Sequence, residues 1–153
     1  MLCDWGDAVT MMAECGRFGQ KSGLGFYRYE VDPLGKPRKV ASTDTNALLA
    51  NLQPAGRKSF SADEIIQRCM LPMILEAAHC LEEGVVASAA ELDTALLLGI
   101  GFPAYLGGAL KYADWLGLTE VVAYCDRYAP ELGPLYRATD KLRAMATQGD
   151  TFY

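Results

Sequence analysis

The hydrophobic positions of this chain follow two periods. From Ser61 onward apolar residues recur three and four apart, the mark of amphipathic helices. Ile66, Cys69, Met70, Met73, Ile74, Ala77 and Leu81 define one such stripe, and Gly84 is placed to stop that helix. Ser61-Ala62-Asp63-Glu64 reads as the capping box that starts it, and Pro72 inside it predicts a kink. A second box, Ser88-Ala89-Ala90-Glu91, opens a helix carrying Leu92, Ala95 and Leu96. Helices are then expected over Leu106 to Leu116, Thr119 to Tyr128 (stopped by Pro130) and Thr139 to Gln148.

The first third is different. Leu2, Trp5, Val9 and Met12 predict a helix over Leu2 to Glu14, starting without a clear cap as a helix cut from a longer protein would. Gly16 ends it, and the glycine-rich Gly19 to Gly25 reads as a loop. Phe26 to Val31 alternates aromatic and polar residues, which predicts a strand. Asp32-Pro33-Leu34-Gly35 fits a type I turn, and Lys36 to Val40 a ragged return strand that Pro37 confines to an edge. Thr45 to Leu52 reads as a short helix and Gln53 to Ser59 as a polar linker. The predicted architecture is an all-α helical bundle after a short β-hairpin-like lead-in. Its segments are 1–25, the end of a helical module; 26–59, hairpin and linker; and 60–153, the main helical domain.

With 153 residues, 51% of them hydrophobic, the chain is long enough to bury a core. A net charge of −5 argues against a nucleic-acid surface. No apolar run reaches the roughly 18 residues expected of a membrane span. The N-terminus lacks the basic region of a signal peptide. The five cysteines form no CxxC pair, which suits reduced thiols in the cytoplasm. A zinc site needs clustered ligands, and the single histidine, His79, has only Cys80 beside it.

The short motifs carry little chemistry. Gly16-Arg17-Phe18-Gly19-Gln20-Lys21-Ser22 has Gln20 where a phosphate loop needs glycine. Gly99-Ile100-Gly101 follows a helical pattern and lacks the third glycine of a dinucleotide fingerprint. His79, near Glu76 and Glu83, reads as an exposed helix residue rather than a general base. Asp93 and Asp114 stand in apolar helices, where each is expected to bond a loop N–H or cap a neighbouring helix. Tyr105, Tyr112, Trp115, Tyr124, Tyr128 and Tyr136 have core-forming spacings.

Longer motifs point to a family. The run from Gly16 through Tyr29 (GRFGQKSGLGFYRY) resembles the segment closing the first C-terminal module of bacterial multifunctional fatty-acid oxidation α subunits. Asp63 to Gly117 is similar to the second copy of the 3-hydroxyacyl-CoA dehydrogenase C-terminal domain in those subunits. Leu132-Gly133-Pro134-Leu135-Tyr136 and Phe152-Tyr153 resemble their tail. The resemblance implies a parent enzyme with enoyl-CoA hydratase and NAD-dependent dehydrogenase activities in fatty-acid β-oxidation. Its nucleotide domain and catalytic histidine and glutamate precede the region matched, so no catalytic residue and no cofactor are expected in this chain.

Two positions carry the implied substrate contacts. Gln67, in Ile66-Gln67-Arg68, stands where the first module has a substrate-contacting asparagine. Leu98 stands where some relatives have a tyrosine, and it offers no hydroxyl. The resemblance therefore implies a non-catalytic module that packs on the first copy as an internal stand-in for a dimer partner. Its implied partners are the preceding domains and a thiolase β subunit, with acyl-CoA met only through the parent enzyme. Two other roles remain open: an acyl-CoA or small-ligand module with a pocket at the Gly99–Gly108 loop, and a homo-oligomerisation domain.

Overall fold

The computed structural model describes residues 7–53, 56 and 58–153. Its contacts divide into two compact units, Met1–Ser59 and Phe60–Tyr153.

In the first unit, α1 (Ala8–Glu14) begins at Asp7. The Asp7 carboxylate accepts from the backbone N–H groups of Val9 and Thr10 at 2.8 Å. Asp7 is in an extended conformation, so the helix expected from Leu2 does not run through it; Leu2 to Gly6 lie outside the described residues. An N-cap aspartate that bonds two free amides favours a start at Ala8 over continuing the weak upstream pattern. Strands β1 (Tyr27–Val31) and β2 (Pro37–Ala41) pair antiparallel, Tyr29 opposite Lys39. The Asp32–Gly35 turn closes with Gly35 N–H on the Asp32 carbonyl, while the Asp32 side chain takes the amides of Leu34 and Lys36. Helix α2 (Thr43–Ala50) follows. Thr45 is buried, and Arg17 donates to its hydroxyl and to the Gly25 carbonyl.

The second unit is all helical: α3 (Ala62–Glu82), α4 (Ala89–Gly99), α5 (Ala109–Leu116), α6 (Leu118–Leu132) and α7 (Asp140–Gln148), with single 3-10 turns at Ala104–Leu106 and Pro134–Tyr136. Both capping boxes form. Ser61 Oγ accepts from Glu64 N–H, and Ser88 Oγ from Glu91 N–H. The reciprocal arms differ: Glu91 reaches back to the N–H of Ala87, while Glu64 pairs with Arg68 one turn on.

Two apolar clusters fill this unit. One joins Leu71, Ile74 and Leu75 of α3 to Ala113, Val121, Cys125, Tyr128 and Leu142; the other joins Ala77 and Ala78 to Ala89, Phe102, Ala109 and Leu110. The stripe expected on α3 is therefore displaced: Ile66 and Cys69 are exposed, while Leu71, Leu75 and Ala78 are buried. The helix is apolar on more than one side after Met70, and its neighbours select the face. The aromatic expectation is also corrected in part. Tyr128 is buried and Tyr112, Tyr124 and Tyr136 pack against the core, but Tyr105 and Trp115 are exposed.

In this unit the start of α5 and the end of α6 differ from expectation. Helix α5 starts at Ala109, because Gly107 and Gly108 adopt positive φ of 78° and 122° after the 3-10 turn. Helix α6 passes through Pro130 to Leu132, and Gly133 N–H bonds the Ala129 carbonyl. Pro130 removes only the N–H owed to Asp126, and both residues are exposed one turn from the helix end, so the break costs little there.

Pro72 lies within α3, which runs on to Glu82. It cannot donate to the carbonyl of Arg68. The Tyr136 hydroxyl takes that place, donating to Arg68 O at 3.0 Å from the turn after α6. No described helix is long and apolar enough to cross a membrane.

Candidate functional site

Gln67 and Leu98 occupy separate surfaces. Gln67, half-buried on α3, lines a cleft of about 440 Å³ between α3, α5 and α6. Helix α3 supplies Asp63, Ile66, Met70, Leu71 and Ile74; α5 supplies Tyr112, Trp115 and Leu116; α6 supplies Tyr124. Leu98, on α4, is 84% exposed and edges a shallow hollow with Ala90, Glu91, Thr94 and Ala95. The fold does not bring the two positions to one pocket.

Gln67 is already engaged. Its Oε1 accepts from the Tyr128 hydroxyl at 2.7 Å, joining α3 to α6 across 61 residues of sequence. Tyr124 lies one turn before Tyr128. Its phenol is raised above the ordinary range, first by a hydrogen bond to Glu120, then by desolvation and the Glu120 charge, with Gln67 pulling the other way. The sequence offers Tyr124 and Tyr128 only as core-spaced aromatics. Their i, i+4 spacing places both phenols on one side of α6, but no local signal pairs them with Gln67.

The two aspartates act as interhelical clamps. Asp93 is 2% exposed on α4. Its oxygens accept from the backbone N–H groups of Leu110 and Lys111 at 3.0 and 2.9 Å, so a side chain of one helix caps the N-terminus of another. This arrangement fits the positive end of the α5 dipole. The Tyr153 hydroxyl donates to the same carboxylate at 2.8 Å. Asp114 accepts from the backbone of Phe152 and Tyr153 at 2.9 and 3.1 Å and pins the final residues to α5. Burial, then the hydrogen bond to Asp93 and its charge, push the Tyr153 phenol up to about 12. Lys111 Nζ lies over the Tyr153 ring at 4.6 Å. Both carboxylates thus have the helix-capping and loop-binding roles expected of them.

Gly108 makes the Asp93 clamp possible. A Cβ there would lie 2.1 to 2.4 Å from Cγ, Cβ and Oδ1 of Asp93. His79 is exposed, and among the described residues no group of three or more His, Cys, Asp or Glu is placed to hold a metal.

The glycine-rich segment does not fit a nicotinamide dinucleotide. Phosphate cradles need backbone N–H groups pointing outward at a helix N-terminus. Here the amides of Gly19, Ser22, Gly23 and Gly25 bond the carbonyls of Leu24, Gly19, Gln20 and Tyr27. The described strands form only a two-stranded hairpin, with no parallel sheet behind them.

Comparison with known proteins agrees with this architecture. The profile of the 3-hydroxyacyl-CoA dehydrogenase C-terminal domain matches residues 65–151. A fatty acid oxidation complex subunit alpha from Pseudomonas entomophila (strain L48) is 48% identical over 155 aligned positions, covering all of this chain. The chain spans 21% of that relative's length. The dehydrogenase part of multifunctional enzyme 1 from C. elegans superposes with a TM-score of 0.63 at 21% identity, covering 93% of this chain and 33% of its own. M. tuberculosis FadB2 superposes with a TM-score of 0.55 at 21% identity, covering 74% and 44%. The likeness to these two structures is one of fold. The chain belongs to the 3-hydroxyacyl-CoA dehydrogenase C-terminal domain family.

Proposed function

We propose that the chain serves as a non-catalytic structural module of a fatty-acid oxidation α subunit, with 60–153 as its dehydrogenase C-terminal domain. It buttresses the domains that precede it and helps seat a thiolase β subunit. In that setting NAD and acyl-CoA are handled by other parts of the cytoplasmic enzyme. One observation carries the reading. The side chain at the family's substrate-contacting position, Gln67, is spent on a hydrogen bond between α3 and α6, and Leu98, the second such position, offers no polar atom. Tyr128–Gln67, Tyr136–Arg68, Asp93–α5 and Asp114–tail are all links between elements. Polar chemistry in this unit is directed to holding helices together.

The test is deletion and return. The matching segment is removed from an intact fatty acid oxidation α subunit, and melting temperature, assembly by light scattering and dehydrogenase rate are measured. The account expects lost stability and assembly, restored when this chain is added in trans. Full stability and rate in the truncated subunit would contradict it. A ligand-binding role is the second reading, favoured by the cleft between α3, α5 and α6 rather than by the Gly99–Gly108 loop, where Phe102 is buried and its N–H bonds Leu96. Calorimetry with acyl-CoAs distinguishes it: heat at micromolar ligand supports binding, and silence at millimolar ligand removes it.

A further inference from the structure

The cleft between α3, α5 and α6 has an unusual chemistry for an apolar groove. Three aromatic rings line it: Tyr112 and Trp115, with centroids 6.0 Å apart and planes at 32°, and Tyr124. Trp115 is 77% exposed, so a large apolar ring stands uncovered at the cleft. Among the described residues Asp63 is the only charged one in the lining. Among the described residues no lysine or arginine lines it. Residues 60–153 as a whole carry six Lys and Arg against thirteen Asp and Glu, a net charge of −7.

Ring faces carry negative potential and attract cations, most strongly at Trp. Elsewhere in this unit three rings carry a cation of the chain itself: Arg68 stands over Phe60, Lys111 over Tyr153 and Arg127 over Tyr128. Among the described residues no cation stands over Tyr112, Trp115 or Tyr124. An anionic occupant, such as a fatty carboxylate, would meet Asp63 with no cation among the described lining residues to offset it. A guanidinium or ammonium group would meet three aromatic rings and a carboxylate, and its aliphatic stem would lie along Met70 and Leu116.

We propose that this cleft docks an arginine or lysine side chain of a basic, amphipathic protein segment, with Trp115 as the stacking face and Asp63 as the counter-ion. The inference rests on the lining and charge of the cleft. Failure of the deletion-and-return experiment leaves it standing, and its own failure leaves the buttress reading standing.

The probe is a synthetic amphipathic peptide with leucines on one face and arginines on the other. Its twin has each arginine replaced by neutral citrulline, which keeps the shape. Trp115 fluorescence reports binding in a full-length Trp5→Phe variant, where it is the sole tryptophan. The arginine peptide is expected to shift the emission saturably, about tenfold more tightly than the citrulline twin, and to weaken with salt. Asp63→Asn and, read by calorimetry, Trp115→Ala are each expected to weaken it about five- to tenfold, while Leu98→Ala leaves it unchanged. Both substituted cleft residues are exposed, and circular dichroism checks that each variant stays folded. Equal binding of both peptides, binding that ignores Trp115 and Asp63, or no binding of the arginine peptide at millimolar concentration overturns the proposal.

Discussion

Gly108→Ala should unfold the junction between α4 and α5, and its cost follows from the geometry. The new Cβ would stand 2.1 Å from Asp93 Cγ and 2.4 Å from its Oδ1, far inside van der Waals contact. The φ of 122° at this position adds a backbone penalty of about 1–3 kcal/mol for a residue with a side chain. The Asp93 carboxylate is 2% exposed and cannot swing into water. Moving it breaks the bonds to Leu110 and Lys111, and charge-assisted bonds of this kind contribute about 1.5–3 kcal/mol. The expected loss is therefore about 3–5 kcal/mol, a large share of the roughly 5–15 kcal/mol of a typical domain.

Urea unfolding followed by helical circular dichroism reads this loss directly, as a midpoint lower by on the order of 2 M. Asp93→Gly removes both the cap and every atom that is struck, Cβ included. The double variant should then cost less than the two single changes added, with a coupling of about 1–3 kcal/mol. A Gly108→Ala protein within about 1 kcal/mol of the parent, or strict additivity in the cycle, would refute the clamp.

Tyr136→Phe should cost about 1–2 kcal/mol, because it orphans the Arg68 carbonyl that Pro72 leaves free. In a Pro72→Ala background, which returns the missing N–H, the same change should cost less than half as much; an undiminished cost contradicts the link. Alkali should destabilise the fold through Tyr153, whose folded phenol is raised to about 12 from an ordinary 10.0. A raised folded pKa means stability that is fully present below pH 10 and lost as pH climbs towards 12. Cys125, raised by burial to about 11 from 9.0, adds a loss in the same direction beginning near pH 9. Tyr153→Phe should therefore flatten, without abolishing, the fall in urea midpoint between pH 9 and 11, and an equal fall in both proteins would rule Tyr153 out. Cys125 is fully buried whereas Cys15 and Cys69 are exposed, so thiol labelling of the native chain should spare it until urea unfolds the domain.

The features legible in the sequence are those whose chemistry closes within a turn or two. Ser61 and Ser88 announce their helices because the bond each makes is to a residue three positions on. Asp32, Pro33 and Gly35 announce the hairpin turn for the same reason. Asp93 and Asp114 stand out because a carboxylate in an apolar helix must find donors somewhere, although the sequence cannot name Leu110, Lys111 or Phe152 as those donors. What stays hidden is selection between competing local solutions. Helix α3 has apolar residues on several sides, and only packing against α5 and α6 decides that Leu71 and Leu75 go in while Ile66 stays out. Trp115 fits a core spacing yet faces solvent for the same reason. At the candidate site, Gln67 was identifiable from its place in the family motif, but its bond to Tyr128 spans 61 residues and leaves no trace in either local pattern.

The central claim is that this chain contributes scaffold and not chemistry to fatty-acid oxidation. Its most direct test is to mix the purified chain with acetoacetyl-CoA and NADH and follow NADH absorbance at high protein concentration. The account predicts decay no faster than the protein-free blank, and sustained turnover by the chain alone would contradict it.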